Sequence, residues 1–246
     1  MRLHENMAET GTRLFRWRSY LLLILVPLLV WEMTHGARIE LAFGPAAAQA
    51  YSAACILLVA LGEAVRMLTV SFVDPRTSGR NFKEQIASEL NTTGFYTLTR
   101  NPLYFGNCLM YLGVVLYSQS LMLGLVLVLA LIPYYERIIA AEERFLAGKF
   151  GPEFDAWCRV TPVFLPRLAP WRRPARGFSL RMLIGREYTS VLGAVVALYL
   201  VNLGLARLGP VQGTVAPAWH AVMAASAGMA LCIYLLKTRT TVLRRR

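Results

Sequence analysis

The stretch "TRNPLYFGNCLMYLGVV", Thr99 to Val115, sets a cation, an amide and a proline at the mouth of a hydrophobic run. Pro102 suits the first turn of a helix, where its missing N–H has no bond to lose. Asn101 suits the cap position just before it. Arg100 fits less well, because a cation at a helix N-terminus is opposed by the helix dipole. It therefore requires a partner, either a carboxylate or an anionic ligand. The run is followed by "YSQS" (117–120), too short for anything but a tight turn, and then by a second apolar run. The two runs, about 103–117 and about 120–138, read as a helical hairpin of membrane-spanning character.

Beyond this hairpin, four more runs have the length and composition of spans: about 19–35, 48–72, 188–206 and 218–236. Composition agrees. The chain of 246 residues is 56% hydrophobic and 16% charged, against about 25% charged in an ordinary soluble domain. Basic residues outnumber acidic ones 26 to 14, a net charge of +12. This suits a membrane protein with basic loops rather than a nucleic-acid binder, which needs one exposed basic surface. With the N-terminus on the cytoplasmic side, the three outer loops hold only two of the 26 basic residues, Arg38 and Arg207. The expected fold is thus all-α, a polytopic bundle of about six transmembrane helices, N-in and C-in, forming a single membrane domain over 1–246. "AQA" at 48–50 resembles a signal-peptidase site but lies far beyond the first apolar run, so that run reads as an uncleaved helix.

The same asymmetry gathers segments 73–102 and 139–187 on one face. The first has turn signals at both ends and a short helical middle. The second continues the hairpin's second helix out of the membrane, stops at Gly151-Pro152 and starts a short helix. "TPVFLPRLAPWRRPARG" then runs extended beside the membrane, its arginines and Trp171 suited to anionic headgroups. The chain has no GxGxxG and no GxxxxGK[ST]. Cys55, Cys108, Cys158 and Cys232 have no metal-ligand spacing, and the three histidines are scattered, so no metal site is expected. Two charged sets stand out. Glu63 and Arg66 lie three apart inside the second span, on one helix face, where they can pair. Glu142-Glu143 lie at the cytoplasmic end of the fourth span. A solvated face explains such acids equally well.

Together these residues resemble the isoprenylcysteine carboxyl methyltransferase and phospholipid methyltransferase superfamily of integral membrane enzymes. That family carries "TGxYxxxRHPxYxG", which here reads "TGFYTLTRNPLYFG" (93–106). Its paired glutamates with a following Phe-Gly and aromatic read "EERFLAGKFGPEFDAW" (142–157), and a Val-Pro-type stretch reads "RVTPVFLP" (159–166). The resemblance covers about 73–168 as a methyltransferase-like core and leaves 188–236 as two additional helices. It implies an S-adenosylmethionine pocket at the cytoplasmic end of the bundle. Tyr96, Leu98, Arg100, Asn101, Pro102 and Tyr104 would form its wall, and Glu142 and Glu143 would receive ribose hydroxyls or the methionine amino group. Arg159 approximates a family arginine that holds the substrate's acidic group. The family histidine is Asn101 here, so a role that needs a titrating imidazole is lost. The arginine common after the proline is Val163 here.

Methyl transfer from a sulfonium needs alignment and exclusion of water. An anionic oxygen needs no general base, whereas an amine does, and Glu143 or Glu142 would then serve. Arg76, Arg80, Arg100 and Arg159 favour an anionic group. The expectation is O-methylation of the carboxylate or phosphate of a membrane lipid or lipidated substrate, with Arg159, Glu143, Glu63 and Arg66 as catalytic candidates. The expected address is a bacterial inner membrane, active face cytoplasmic. N-methylation of a phospholipid amine, an NADPH-dependent membrane reductase of related helix arrangement and a non-enzymatic membrane protein stay open.

Overall fold

The computed structural model describes residues 3–17, 21–36, 38–74, 87–167, 171–211 and 213–240. Those residues are helices and irregular connections, with no strand among them. The helices are α1 (Leu3–Trp17), α2 (Val26–Thr34), α3 (Arg38–Phe43), α4 (Pro45–Ser71), α5 (Pro102–Leu116), α6 (Leu121–Phe150), α7 (Pro152–Val160), α8 (Leu180–Leu208) and α9 (Pro217–Arg239). Four of them, α4, α6, α8 and α9, are long and apolar enough to cross a membrane. Many of their large apolar side chains face outward, among them Leu57, Leu61, Leu125, Leu129, Leu200 and Leu231. An outward apolar surface on long helices is what a bilayer requires. The chain is a polytopic helical membrane protein.

Two expected spans are shorter than the sequence suggests. The run at 19–35 is a 3-10 turn (Leu21–Leu25) followed by the short α2. Pro27 sits in the first turn of α2, and a proline ring cannot continue a helix arriving from before it. Helix α5 has 15 residues. At the rise of an α-helix that is roughly 22 Å, short of a hydrocarbon core of about 30 Å. The span expected from 188 begins at Leu180 instead. There Ser179 accepts a hydrogen bond from the Met182 amide at 3.3 Å and so caps the helix. This brings Arg181, Arg186 and Glu187 into α8. The short helix expected within 73–102 falls mostly on 75–86, outside the described residues, as do Arg76, Arg80 and the C-terminal arginines.

The hairpin is as expected. Gln119 takes the left-handed conformation in the turn, at φ 63°. Ser120 caps α6 by accepting from Leu123 N at 3.1 Å, as a serine at that position should. Gly151 closes α6 at φ 50°, and Pro152 opens α7 at once. Glycine past a helix end and proline in a first turn are the residues those positions favour. Helices α4 and α5 cross on small residues. A Cβ on Gly62 would lie 2.5 Å from the Gly106 carbonyl oxygen, and one on Gly113 would lie 2.8 Å from that of Cys55. Such close approach is open only to glycine, and it brings two backbones into contact in lipid. Helix α1 packs along the exit half of α6, with Gly11 against the Arg137 carbonyl. Helix α8 packs on α4, and α9 packs on α8.

Candidate functional site

The ends of α4 and α6 and the starts of α5 and α8 meet at one end of the bundle. A 3-10 turn (Gly94–Thr97) enters there before α5. The strap after α7 runs back alongside it. Arg100 N donates to Pro162 O at 2.9 Å, Arg167 N to Leu98 O at 3.0 Å, and Gly94 N to Arg172 O at 3.0 Å. Thr99 Oγ1 donates to Phe164 O at 2.8 Å. These bonds satisfy the backbone of both irregular segments and fix the mouth of α5.

Arg100 has the partner its position demands. Its Nη1 lies 2.9 Å from Glu143 Oε1, with the side chains 12% and 23% exposed. The same nitrogen donates to Cys158 Sγ of α7 at 2.7 Å. Next to this pair, Tyr104 Oη donates to Glu142 Oε1 at 2.7 Å. The two sequence elements, distant along the chain, are therefore joined by two contacts between the mouth of α5 and the exit of α6. Tyr96 completes the wall. Trp157 Nε1 donates to its carbonyl at 3.3 Å. Burial pushes the Tyr96 phenol well above its usual range; the Glu142 charge adds to this and Arg186 opposes it. Burial likewise raises the Cys158 thiol, and Arg100 opposes it.

Asn101 and Pro102 stand where the sequence puts them, at the cap and first turn of α5, but the Asn101 side chain does not cap. Its Nδ2 donates instead to Val163 O at 2.8 Å, and Thr99 Oγ1 accepts from the Asn101 amide at 3.2 Å. The strap outcompetes the helix terminus for that side chain. Leu98 is half-buried and holds the strap through its carbonyl. Arg159 lies on the exposed side of the last turn of α7, one position beyond Cys158, and does not converge with the others.

Glu63 is buried in α4 at 7% exposure. Arg66, which shares a helix face with Glu63, reaches two other helices. Its Nε and Nη2 donate to Glu187 Oε2 of α8 at 3.0 and 2.7 Å, and its Nη1 donates to Asn107 of α5. A carboxylate on a facing helix can meet the guanidinium fork through two nitrogens at once, a geometry a helix-mate three positions away offers poorly. Asn107, Arg186 and Glu187 are the members of this end that sequence reasoning misses. Their signal is a charged pair, "RE" at 186–187, directly before an apolar run.

Chemically, the end offers two adjacent carboxylates, a tyrosine wall and guanidinium groups in a half-buried setting. Carboxylates suit ribose hydroxyls or an ammonium, and aromatic and apolar walls suit a nucleoside. That donor set fits S-adenosylmethionine. Among the described residues no group of three or more metal-ligating side chains converges.

Residues 46–153 match the family model described as phospholipid methyltransferase. Over 83 residues the chain is 46% identical to the cobalt-zinc-cadmium resistance protein CzcN of Cupriavidus metallidurans, covering 34% of this chain and 38% of that protein. Over 86 residues it is 40% identical to the nickel-cobalt-cadmium resistance protein NccN of Alcaligenes xylosoxydans xylosoxydans, covering 35% of this chain and 40% of that protein. The match thus spans well under half the length of these relatives. No solved structure matches the chain. The residues that match the phospholipid methyltransferase family model, 46–153, hold nearly all of α4, the whole of α5 and α6, the first element of the site and the paired glutamates of the second.

Proposed function

We propose that this protein is an S-adenosylmethionine-dependent integral membrane methyltransferase that methylates an oxygen of an anionic lipid or lipidated acceptor. The observation that carries this reading is the joining of the two motif elements, Arg100 to Glu143 at 2.9 Å and Tyr104 to Glu142 at 2.7 Å. Bound S-adenosylmethionine supplies an electrophilic methyl on a sulfonium. The protein's task is to hold the donor, aim the acceptor and keep water out. Tyr96 and Tyr104 wall the donor, and Glu142 takes its hydroxyl or amino groups. Arg159, exposed on the last turn of α7 and apart from these groups, is the residue assigned to the acidic headgroup. An amine acceptor would first have to lose a proton to Glu142 or Glu143, which already hold Tyr104 and Arg100. An anionic oxygen asks for no such transfer, and this favours oxygen over nitrogen. In the proposed topology the N- and C-termini and the site lie on the cytoplasmic side of a bacterial inner membrane.

This chemistry also connects to the relatives, whose names refer to resistance to cobalt, zinc, cadmium and nickel. Methylating a headgroup oxygen removes a negative charge, whereas methylating an amine leaves its positive charge in place. Fewer anionic headgroups means fewer divalent cations held at the membrane surface. We carry that setting to this chain as part of the same proposal.

The test is to incubate the purified protein in lipid nanodiscs with methyl-labelled S-adenosylmethionine and a total bacterial lipid extract, then to follow the label by mass spectrometry. The expected result is label on an oxygen of an acidic lipid. Label on nitrogen, in an alkali-stable N-methyl headgroup, overturns the oxygen assignment and the link to metal resistance. Failure to bind S-adenosylmethionine, with binding of NADPH instead, overturns the methyltransferase reading.

A further inference from the structure

The strap after α7 mixes two kinds of exposed side chain. Between 159 and 181 the chain has six arginines and no aspartate, glutamate or lysine. Arg176 is already paired, 2.8 Å from Asp74 and 3.1 Å from Glu89. Arg167, Arg172 and Arg173 are exposed. Large apolar side chains stand among them. Leu165 is 72% exposed, Trp171 47% and Phe178 53%. Apolar groups gathered on one exposed segment mark a surface that meets a partner or a membrane.

Depth decides between the two. The turn at 117–120 is one end of the α5–α6 hairpin. From it the 15 residues of α5 reach roughly 22 Å, less than a hydrocarbon core of about 30 Å. The mouth of α5 therefore lies at the bilayer boundary. Helix α6, with 30 residues, reaches roughly 45 Å and carries α7 beyond that boundary. The strap then returns to the level of the mouth. Pro162 O accepts from Arg100 N, Arg172 O accepts from Gly94 N, and Arg167 N donates to Leu98 O. Irregular backbone at membrane depth needs its polar groups satisfied within the protein, and these bonds supply that. The far end of the strap meets α4, where the rings of Phe178 and Phe72 lie 5.7 Å apart just past the helix end. Leu180 then opens the span α8. Both ends of the strap are thus tied to membrane helices at one boundary.

We propose that the strap, residues 159–167 and 171–181, is a docking surface for anionic membrane lipid. Leu165, Trp171 and Phe178 enter the interfacial layer, where aromatic rings are favoured. Arg167, Arg172 and Arg173 reach lipid phosphates, which suit the guanidinium group. A zwitterionic headgroup brings its own ammonium, so a segment with cations and no acids selects lipid of net negative charge. The surface goes beyond the methyltransferase reading and requires only that the chain spans a bilayer. Its backbone holds the mouth of α5 while its side chains hold lipid, so acidic lipid gathers beside Arg100 and Tyr104.

The experiment uses the full chain in nanodiscs and follows tryptophan quenching by lipids brominated high on the acyl chain. Wild type minus Trp171→Phe isolates the Trp171 signal. Brominated phosphatidylglycerol diluted into phosphatidylcholine is compared with brominated phosphatidylcholine diluted into phosphatidylglycerol at the same fraction. Trp171 should be quenched in both mixtures, with phosphatidylglycerol preferred by about fivefold or more, the worth of one arginine beside an anionic surface. In Arg172→Gln/Arg173→Gln, quenching should persist while the preference falls toward one. A Trp171 signal that brominated lipid does not touch overturns the inference and turns the strap toward a soluble acidic partner. Equal quenching by the two lipids in wild type overturns the anionic selectivity. An unchanged preference in folded Arg172→Gln/Arg173→Gln overturns the role of these arginines. Should Trp171→Phe fail to fold, total quenching in wild type and Arg172→Gln/Arg173→Gln decides, and identical lipid preferences overturn the inference.

Discussion

Removing the charge of Glu143 tests the junction of the two motif elements most directly. Glu143→Gln keeps the shape of the side chain and leaves Arg100 facing an amide at 2.9 Å instead of a carboxylate. The gross attraction between unit charges at that separation is about 6 kcal/mol at an effective dielectric constant of about 20. Desolvation of both groups offsets much of it, and the side chains are only 12% and 23% exposed. Breaking such a half-buried pair from one side costs about 2–3 kcal/mol. On the proposed reading, a contact of Glu143 with the donor's hydroxyl or ammonium is a charge-assisted hydrogen bond worth about 1.5–3 kcal/mol. Affinity for S-adenosylmethionine should therefore fall by about tenfold to a hundredfold in Glu143→Gln. Arg100→Ala should fall similarly, because Glu143 loses the group that orients it. In the double variant the loss should stay close to that of either single variant, giving a coupling of about 1–3 kcal/mol. Calorimetry on protein in nanodiscs measures all four corners of this cycle. Affinities within twofold of wild type in both single variants would refute the cofactor role of the junction. Additivity to within about 0.5 kcal/mol would refute the claim that the two residues act as one unit.

Gly106→Ala places a Cβ 2.8 Å from both Arg66 Cγ and the Gly62 carbonyl oxygen. Helices α4 and α5 must part to admit it, at about 1–3 kcal/mol, so the melting temperature in detergent should drop. Gly148→Ala, which meets nothing within 4 Å, should not move it, and equal melting temperatures for the two would remove the packing argument. Burial raises the Cys158 thiol and the charge of Arg100 opposes that rise, so the reactive thiolate is scarce at neutral pH. In a background whose other cysteines are serine, maleimide should label Cys158 more slowly than free cysteine at about pH 8, near the ordinary thiol range. The rate should climb only above that range, and Arg100→Ala should slow it further; faster labelling in Arg100→Ala would contradict the assigned cause.

Much of the architecture can be read from local pattern because its determinants are local. Ser120 and Gln119 make the hairpin turn, Pro102 opens α5, and Gly151-Pro152 ends α6 and opens α7. Each is a backbone effect acting over a short stretch of chain. The misjudged boundaries have local causes hidden under strong hydropathy. Pro27 starts α2 inside an unbroken apolar run, and Ser179 starts α8 well before the apolar run proper. Hydropathy marks where a segment can be buried; caps and prolines mark where a helix can begin, and the two signals disagree at both places.

The site divides along a different line. Arg100 is legible as a residue in need of an anion because the helix dipole makes a cation at that position costly in any fold. Which anion it finds depends on where α6 exits, and that is tertiary. Arg66 shows the limit of helix-face reasoning. Spacing of three puts Glu63 within reach, but spacing says nothing about a carboxylate arriving on another helix with better geometry. Glu187 arrives because Gly62 and Gly106 let α4 and α5 touch, which turns the Arg66 stem along their seam and out toward α8. The small residues thus decide the charge pairing. No local feature of "REYTS" at 186–190 reveals that its two charges are buried, since the same letters at a solvated helix start would be ordinary. Their meaning comes from the close crossing of two other helices, and that crossing is written in Gly62 and Gly106, far upstream of Arg186 and Glu187.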